Sequence, residues 1–241
     1  NKSLCALVTG SSSGIGLAVA QHLLAQGWQV LGWDKQVPTT ETLNHPQFVH
    51  TSVDLMDDAA IAIALSGLAQ RQASTESNTP ITAFIHAAGQ MFTGALPQLN
   101  PHDGAAMWRL HVHAATVIAQ ALTPTMQATG MGRIVLLGSR VAQGMAQRSQ
   151  YAAVKAALIA LAKSWAAELA ASGITVNVVS PAATRTAMLA SSERASSAPK
   201  LPPIGRYIEP AEVASLIAYV LSPSAAAITG QNLQICGGSS L

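Results

Sequence analysis

An α/β fold on a doubly wound parallel sheet, with helices on both faces and three layers in all, is what this sequence predicts from three observations. First, short β-type runs recur at regular distances along the 241 residues: Ala6–Val8, Gln29–Trp33, Phe48–Val53, Ile81–His86, Arg133–Leu137, Thr175–Val179 and Leu233–Ile235. Second, Ala- and Leu-rich stretches of helix length lie between most of them. Parallel strands need such crossovers and are buried on both sides, so a sheet of about seven strands follows. Third, the residues able to do chemistry come directly after the runs, and ligands of open α/β sheets collect beyond the C-terminal ends of the strands.

The first run leads into Thr9-Gly10-Ser11-Ser12-Ser13-Gly14-Ile15-Gly16 and then into helical spacing at Leu17, Ala20 and Leu24. A glycine turn between strand and helix suits a pyrophosphate. The helix N-terminus offers unpaired N–H groups and partial positive charge, and residues without a Cβ let the backbone approach the phosphates. Gly10, Ser12, Ser13, Gly14, Ile15 and Gly16 are therefore the loop candidates of a Rossmann-type dinucleotide site. The spacing is G-x-x-x-G-x-G rather than G-x-G-x-x-G, and a purely structural βα turn would look the same.

After the second run stands Asp34, about twenty residues past the turn, where a carboxylate can accept hydrogen bonds from the adenosine ribose and repels a 2′-phosphate. This predicts NAD over NADP, tempered by the adjacent Lys35. Asp54 and Leu55 follow the third run, placed for the adenine edge. His86-Ala87-Ala88-Gly89 follows the fourth, and its small residues Ala87, Ala88 and Gly89 let a flat ring or ribose lie close. From Thr186 to Tyr207 the chain is rich in Ser and Pro without periodicity, which predicts a mobile lid within a single domain spanning residues 1–241.

Composition narrows the function. The formal charge of +2 is scattered without runs, so the footprint for nucleic acid or an anionic membrane is missing and a small-molecule partner is expected. No uninterrupted apolar stretch of about 18 residues occurs and no basic-then-apolar leader opens the chain, from which a soluble cytoplasmic protein is expected. Cys5 and Cys236 lie in apolar runs and read as buried small hydrophobes, not as a disulfide or metal site. Charged residues make up only 10%, against about 25% in typical domains. The segment from Tyr151 to Ala171, apolar on nearly every side, must then be covered on more than one face. A homo-oligomer, dimer or tetramer, is the expectation; a helix sandwiched within one subunit is the alternative.

Tyr151 and Lys155 stand four apart in that helical segment, which puts them side by side on one face. An ammonium beside a phenol favours the phenolate, bringing a group with a reference pKa near 10 toward the working range of an acid/base. Ser139 follows a presumed strand, so its hydroxyl can converge on the carbonyl oxygen that Tyr151 protonates.

Taken together, the T-G-x-x-x-G-I-G turn, Ser139, Tyr151-x-x-x-Lys155, the Pro181–Met188 stretch and the closing Ile228-Thr229-Gly230-Gln231 through Gly237-Gly238 resemble the short-chain dehydrogenase/reductase family over essentially the whole chain. The resemblance implies that the glycine turn holds the pyrophosphate, Asp34 the ribose, and Asp54 and Leu55 the adenine. It implies that Lys155 bonds the nicotinamide ribose, that Thr184 and Thr186 bond the carboxamide, that Pro181 also lies against the cofactor, and that hydride passes between nicotinamide and a secondary alcohol or ketone. Three departures stand out. His86 begins the stretch where the family has Asn-Asn-Ala-Gly, His111 occupies the place of a relay asparagine, and the Ser139-to-Tyr151 spacing is one residue short. His111 is expected to shuttle protons in the asparagine's stead. The shortened loop carries Arg140 and Met145, which with Gln90, Arg148 and Met188 form the expected substrate wall. The segments Val30–Gln36 and Asn177–Met188 also resemble dihydrodihydroxybenzoate dehydrogenases, which implies a small cyclic or aromatic alcohol. The alternatives are an NADPH-dependent 3-oxoacyl thioester reductase and a dinucleotide-sensing protein without turnover.

Overall fold

Each of the seven β-type runs becomes a strand in the computed structural model, which describes residues 4–73, 79–190 and 200–241. In chain order the main elements are β1 (Cys5–Thr9), α1 (Gly14–Ala25), β2 (Gln29–Asp34), the single turn α2 (Thr40–Leu43), β3 (Phe48–Ser52), α3 (Asp58–Ala73) and β4 (Ile81–His86). Then come α4 (Pro101–Trp108), α5 (Ala114–Thr129), β5 (Gly132–Leu137), α6 (Ser149–Leu169), β6 (Ile174–Pro181), the short α7 (Ala187–Ala190), α8 (Pro210–Leu221) and β7 (Asn232–Ile235). The sheet order is β3-β2-β1-β4-β5-β6-β7, and every neighbouring pair is parallel. The chain reverses its direction of travel across the sheet between β1 and β4. The crevice beyond their C-terminal ends is where such a fold binds ligands.

Alternation along the strands divides the core. Cys5 and Leu7 face the layer of α3, α4, α5 and α6, whereas Ala6 and Val8 face that of α1 and α8. β4 and β6 are buried at every residue, as strands covered on both faces must be. Local signals set several helix ends. Glu209 and Glu212 form a reciprocal capping box at the start of α8, and Gly130 ends α5 in the left-handed conformation at φ +66°. Among the described residues no helix is long and apolar enough to cross a membrane.

Three expectations need adjustment. Between α4 and α5 the residues Arg109–His113 form a π-helical turn, a feature that apolar spacing does not reveal. Cys236 is partly exposed rather than buried, because β7 ends one residue earlier and the chain turns there. The expected lid is tied at its base by a bridge from Thr184 to Ile208 and contains α7; its residues 191–199 lie outside the described residues.

Candidate active site

A cavity of about 970 Å³ opens at the C-terminal ends of the strands, along the reversal between β1 and β4. At one end is the glycine turn. Gly10 has φ +69°, and a Cβ there would lie 2.7 Å from the Ala88 backbone nitrogen; a Cβ on Gly16 would collide with the Gly10 carbonyl. The turn can therefore lie against the segment after β4 only as glycine. Ser13, the N-cap of α1, makes no side-chain cap bond, and no acidic residue occupies the first turn. The first N–H groups of this helix, beside Gly14 and Ile15, are thus open to an anion, and the cradle fits a pyrophosphate.

All the cofactor candidates named from the sequence line this cavity except Ser12, including Asp54, Leu55, Ala87, Gly89, Pro181, Thr184 and Thr186. Ser12 turns away. Its N–H donates to Asp34 Oδ2 (3.1 Å) and its hydroxyl to the Gln36 carbonyl (2.5 Å). Asp34 Oδ1 accepts from the Gln36 N–H at 2.9 Å, and Asp54 Oδ1 from the Met56 N–H at 2.9 Å. Both carboxylates thus accept backbone N–H groups before any ligand arrives. Thr184 and Thr186 donate to nearby carbonyls, those of Ala182 and Thr184.

At the other end the candidate catalytic residues converge. Tyr151 sits in the first turn of α6 with Lys155 one turn on, and the Lys155 ammonium lies 5.5 Å from the Tyr151 ring centre. Lys155 is 3% exposed and donates to the Leu137 carbonyl at 2.6 Å; burial pushes its pKa down to about 7. Ser139 Oγ accepts from the Val141 N–H at 3.2 Å, which leaves its hydroxyl hydrogen to donate into the cavity it lines. His111, buried in the π turn, sits edge-on to Tyr151 with ring centres 5.8 Å apart. Its Nε2 lies 2.8 Å from the Gln90 carbonyl and 3.2 Å from the Gln90 N–H, and its buried Nδ1 meets no partner among the described residues. Burial, followed by the Lys155 charge, holds this imidazole well below the usual histidine range, so it is neutral.

Gln90, Arg140, Met145, Arg148 and Met188 also line the cavity, joined by Met91, Leu189 and Leu201, which the sequence reading passed over. Arg148 is buried and donates to Met145 Sδ at 3.0 Å; burial lowers its pKa, with further influence from Tyr151 and Arg140. Arg185, also basic and close in sequence to the cavity-lining Thr184 and Thr186, pairs with Glu209 at 2.8 Å on the surface. His86 is the other residue not singled out for the site. It ends β4 at 1% exposure, and burial, then the Lys155 charge, pushes its pKa down to about 3. A histidine in the place of the family's asparagine, at the end of a buried strand, was the available signal.

Residues 10–240 match the family described as enoyl-(acyl carrier protein) reductase. The chain is 31% identical over 243 residues to the 3-oxoacyl-[acyl-carrier-protein] reductase FabG of Vibrio cholerae serotype O1, covering 97% of this chain and 96% of that one. It is 30% identical to a putative ketoacyl reductase of Streptomyces coelicolor, covering 97% and 95%. Among solved structures, a single-substitution variant of actinorhodin polyketide ketoreductase with NADPH superposes with a TM-score of 0.86 at 27% identity, over 99% of this chain and 97% of that one. A short chain dehydrogenase/reductase family protein does so at 0.85 and 29%, over 99% and 98%. The NAD preference read from Asp34 is overturned by the ketoreductase of this fold that carries NADPH. The physical reason lies in the turn, where the Asp34 carboxylate braces the backbone of Ser12 and Gln36 beside Lys35, so its charge is partly compensated.

Proposed function

This chain belongs to the short-chain dehydrogenase/reductase family, and from that premise we propose that it is an NADPH-dependent reductase of a ketone carried on a 3-oxoacyl thioester or a related polyketide chain. The observation that carries the reading is the meeting of Ser139, Tyr151 and Lys155 at one end of a cavity whose other end is a glycine cradle. The names of the relatives support the ketone over the small cyclic alcohol expected from the sequence.

When bound, the nicotinamide cofactor supplies the hydride. Gly10, Gly14, Ile15 and Gly16 would hold its pyrophosphate, and Asp54, Leu55, Ala87 and Ala88 would line the adenosine side. Lys155, with one hydrogen on the Leu137 carbonyl, has two left for ribose hydroxyls. Ser139 donates a hydrogen bond to the substrate carbonyl oxygen and holds it against the Tyr151 hydroxyl. Tyr151 gives its proton to that oxygen as charge develops there, and the Lys155 ammonium stabilises the phenolate left behind. His111, held at Nε2 by the carbonyl and the N–H of Gln90 and edge-on to Tyr151, would take part in returning the proton to the phenolate. Gln90, Arg140, Met145, Arg148 and Met188 would shape the substrate end. The half-exposed Ile159 and Trp165 of α6 suit a homo-oligomer contact.

Initial rates with a short 3-oxoacyl thioester test the reading. NADPH should exceed NADH in kcat/KM by at least about tenfold, the factor that about 1.4 kcal/mol of 2′-phosphate recognition gives. Preference for NADH, or no turnover with either, overturns it.

A further inference from the structure

We propose that His86 is a positioning residue for the catalytic centre: its Nε2–H holds the Leu110 carbonyl and thereby aims the His111 ring at Tyr151. The proposal rests on the reductase reading of that centre.

His86 Nε2 lies 3.0 Å from the Leu110 carbonyl and Nδ1 lies 2.9 Å from Thr9 Oγ1. A carbonyl only accepts, so Nε2 carries the hydrogen. Nδ1 must then accept, which makes the Thr9 hydroxyl the donor, and Thr9 Oγ1 in turn accepts from the Ala88 N–H at 3.3 Å. Each polar atom in this series of bonds has one role, and the tautomer is settled by it. The ring is neutral as well, since burial and the Lys155 charge oppose a proton.

Leu110 precedes His111 inside the π turn. The peptide between them is planar, so a hydrogen bond that fixes the Leu110 C=O fixes the plane from which the His111 side chain leaves. The far end of His111 is held by Gln90, and its flank lies on Gly89, where a Cβ would come within 2.5 Å of Cε1. The imidazole is thus pinned at its backbone by His86 and at its ring by the segment after β4. The hydrogen bonds described for His86 go to Thr9 and Leu110, so it acts on the catalytic centre through Leu110 and His111. The same histidine joins Thr9, at the glycine turn, to the reaction end.

Glutamine and asparagine separate the two bonds. A glutamine amide nitrogen can take the place of Nε2 and donate to Leu110, whereas an asparagine amide reaches only the place of Nδ1. His86→Gln should keep at least about half of kcat, and His86→Asn should lose about tenfold, with KM for ketone and cofactor affinity within about twofold of wild type in both. In the His86→Asn background, His111→Asn should lower kcat no further. Equal kcat for Gln and Asn, or additive losses in the double variant, overturns the proposal. Should the variants fail to fold, 15N spectra of the wild-type histidines decide: His86 should carry its hydrogen on Nε2 at pH 7 and remain neutral at pH 5, since burial and the facing Lys155 charge, with the neutral His111 beside it, oppose a proton. An Nδ1–H tautomer, or an imidazolium at pH 5, overturns it. Failure of the underlying reading looks different, because Tyr151→Phe would then retain turnover.

Discussion

The two ends of the cavity are built on opposite principles. At the proposed adenosine end the backbone would do the recognising: Gly10 and Gly14 adopt positive φ, and the carboxylates of Asp34 and Asp54 are tied to N–H groups close to water. At the proposed reaction end side chains would do it, and Lys155, His86 and His111 are each at most 3% exposed. Burial makes the Lys155 charge count and holds both imidazoles neutral, whereas a carboxylate at the edge of solvent is screened and speaks weakly. One end should therefore be sensitive to shape and the other to protonation.

The largest test of that contrast is Tyr151→Phe. Removing the hydroxyl should lower kcat by about 10²–10⁴, the usual contribution of a positioned acid, while cofactor affinity measured by tryptophan fluorescence stays within about twofold. A variant that loses cofactor affinity in step with kcat would mean that the two ends are not separable.

Next comes shape. Gly10→Ala places a Cβ on a left-handed residue 2.7 Å from backbone that cannot yield, so about 1–3 kcal/mol of stability and most cofactor affinity should go together. Thermal melting and fluorescence titration read both. A well-folded Gly10→Ala with wild-type affinity would remove the cradle from the account.

Protonation should show in stability. The native pKa of His86 lies near 3, below the ordinary value of 6.5, so its contribution is fully present above about pH 6.5 and is lost toward pH 3, by at most about 1.4 kcal/mol per pH unit. Lys155 works on a higher window. With its native pKa near 7 and an ordinary value of 10.5, the unfolded chain binds more protons in between, and stability rises with pH across that range. Urea midpoints should therefore climb from acid to alkaline pH, and the acid slope should be shallower in His86→Gln than in wild type. Parallel slopes would contradict the burial argument.

The same contrast explains what the sequence made legible. Strands and the glycine turn show in it because each is a local pattern: apolar runs, helical spacing, residues without a Cβ. Tyr151 and Lys155 are legible for the same reason, being neighbours on one helix. The role of His86 and the π turn are not: His86 shows only as a departure from the family's asparagine, and its meaning lies in a contact across 24 positions that no spacing encodes. Asp34 shows the intermediate case. Its place directly after β2 is a local fact that puts it on the cavity wall, but its chemical effect depends on which groups already hold it, and those are set by the fold.

Asp34 also offers the smallest and sharpest prediction. A carboxylate whose purpose were to repel a 2′-phosphate would, on replacement by alanine, release a large gain for NADPH alone. A carboxylate that braces the turn gives another result: its loss frees the Ser12 and Gln36 N–H groups and slackens the backbone under both cofactors. We expect Asp34→Ala to raise KM for NADPH about fivefold, about 1 kcal/mol for a lost hydrogen bond, with the NADPH to NADH ratio changed by less than about threefold. Parallel cofactor titrations on wild type and variant measure both quantities. A selective gain for NADPH would show that the charge at this end is felt by the ligand after all, and would erase the distinction between a cavity end read by backbone and one read by buried charge.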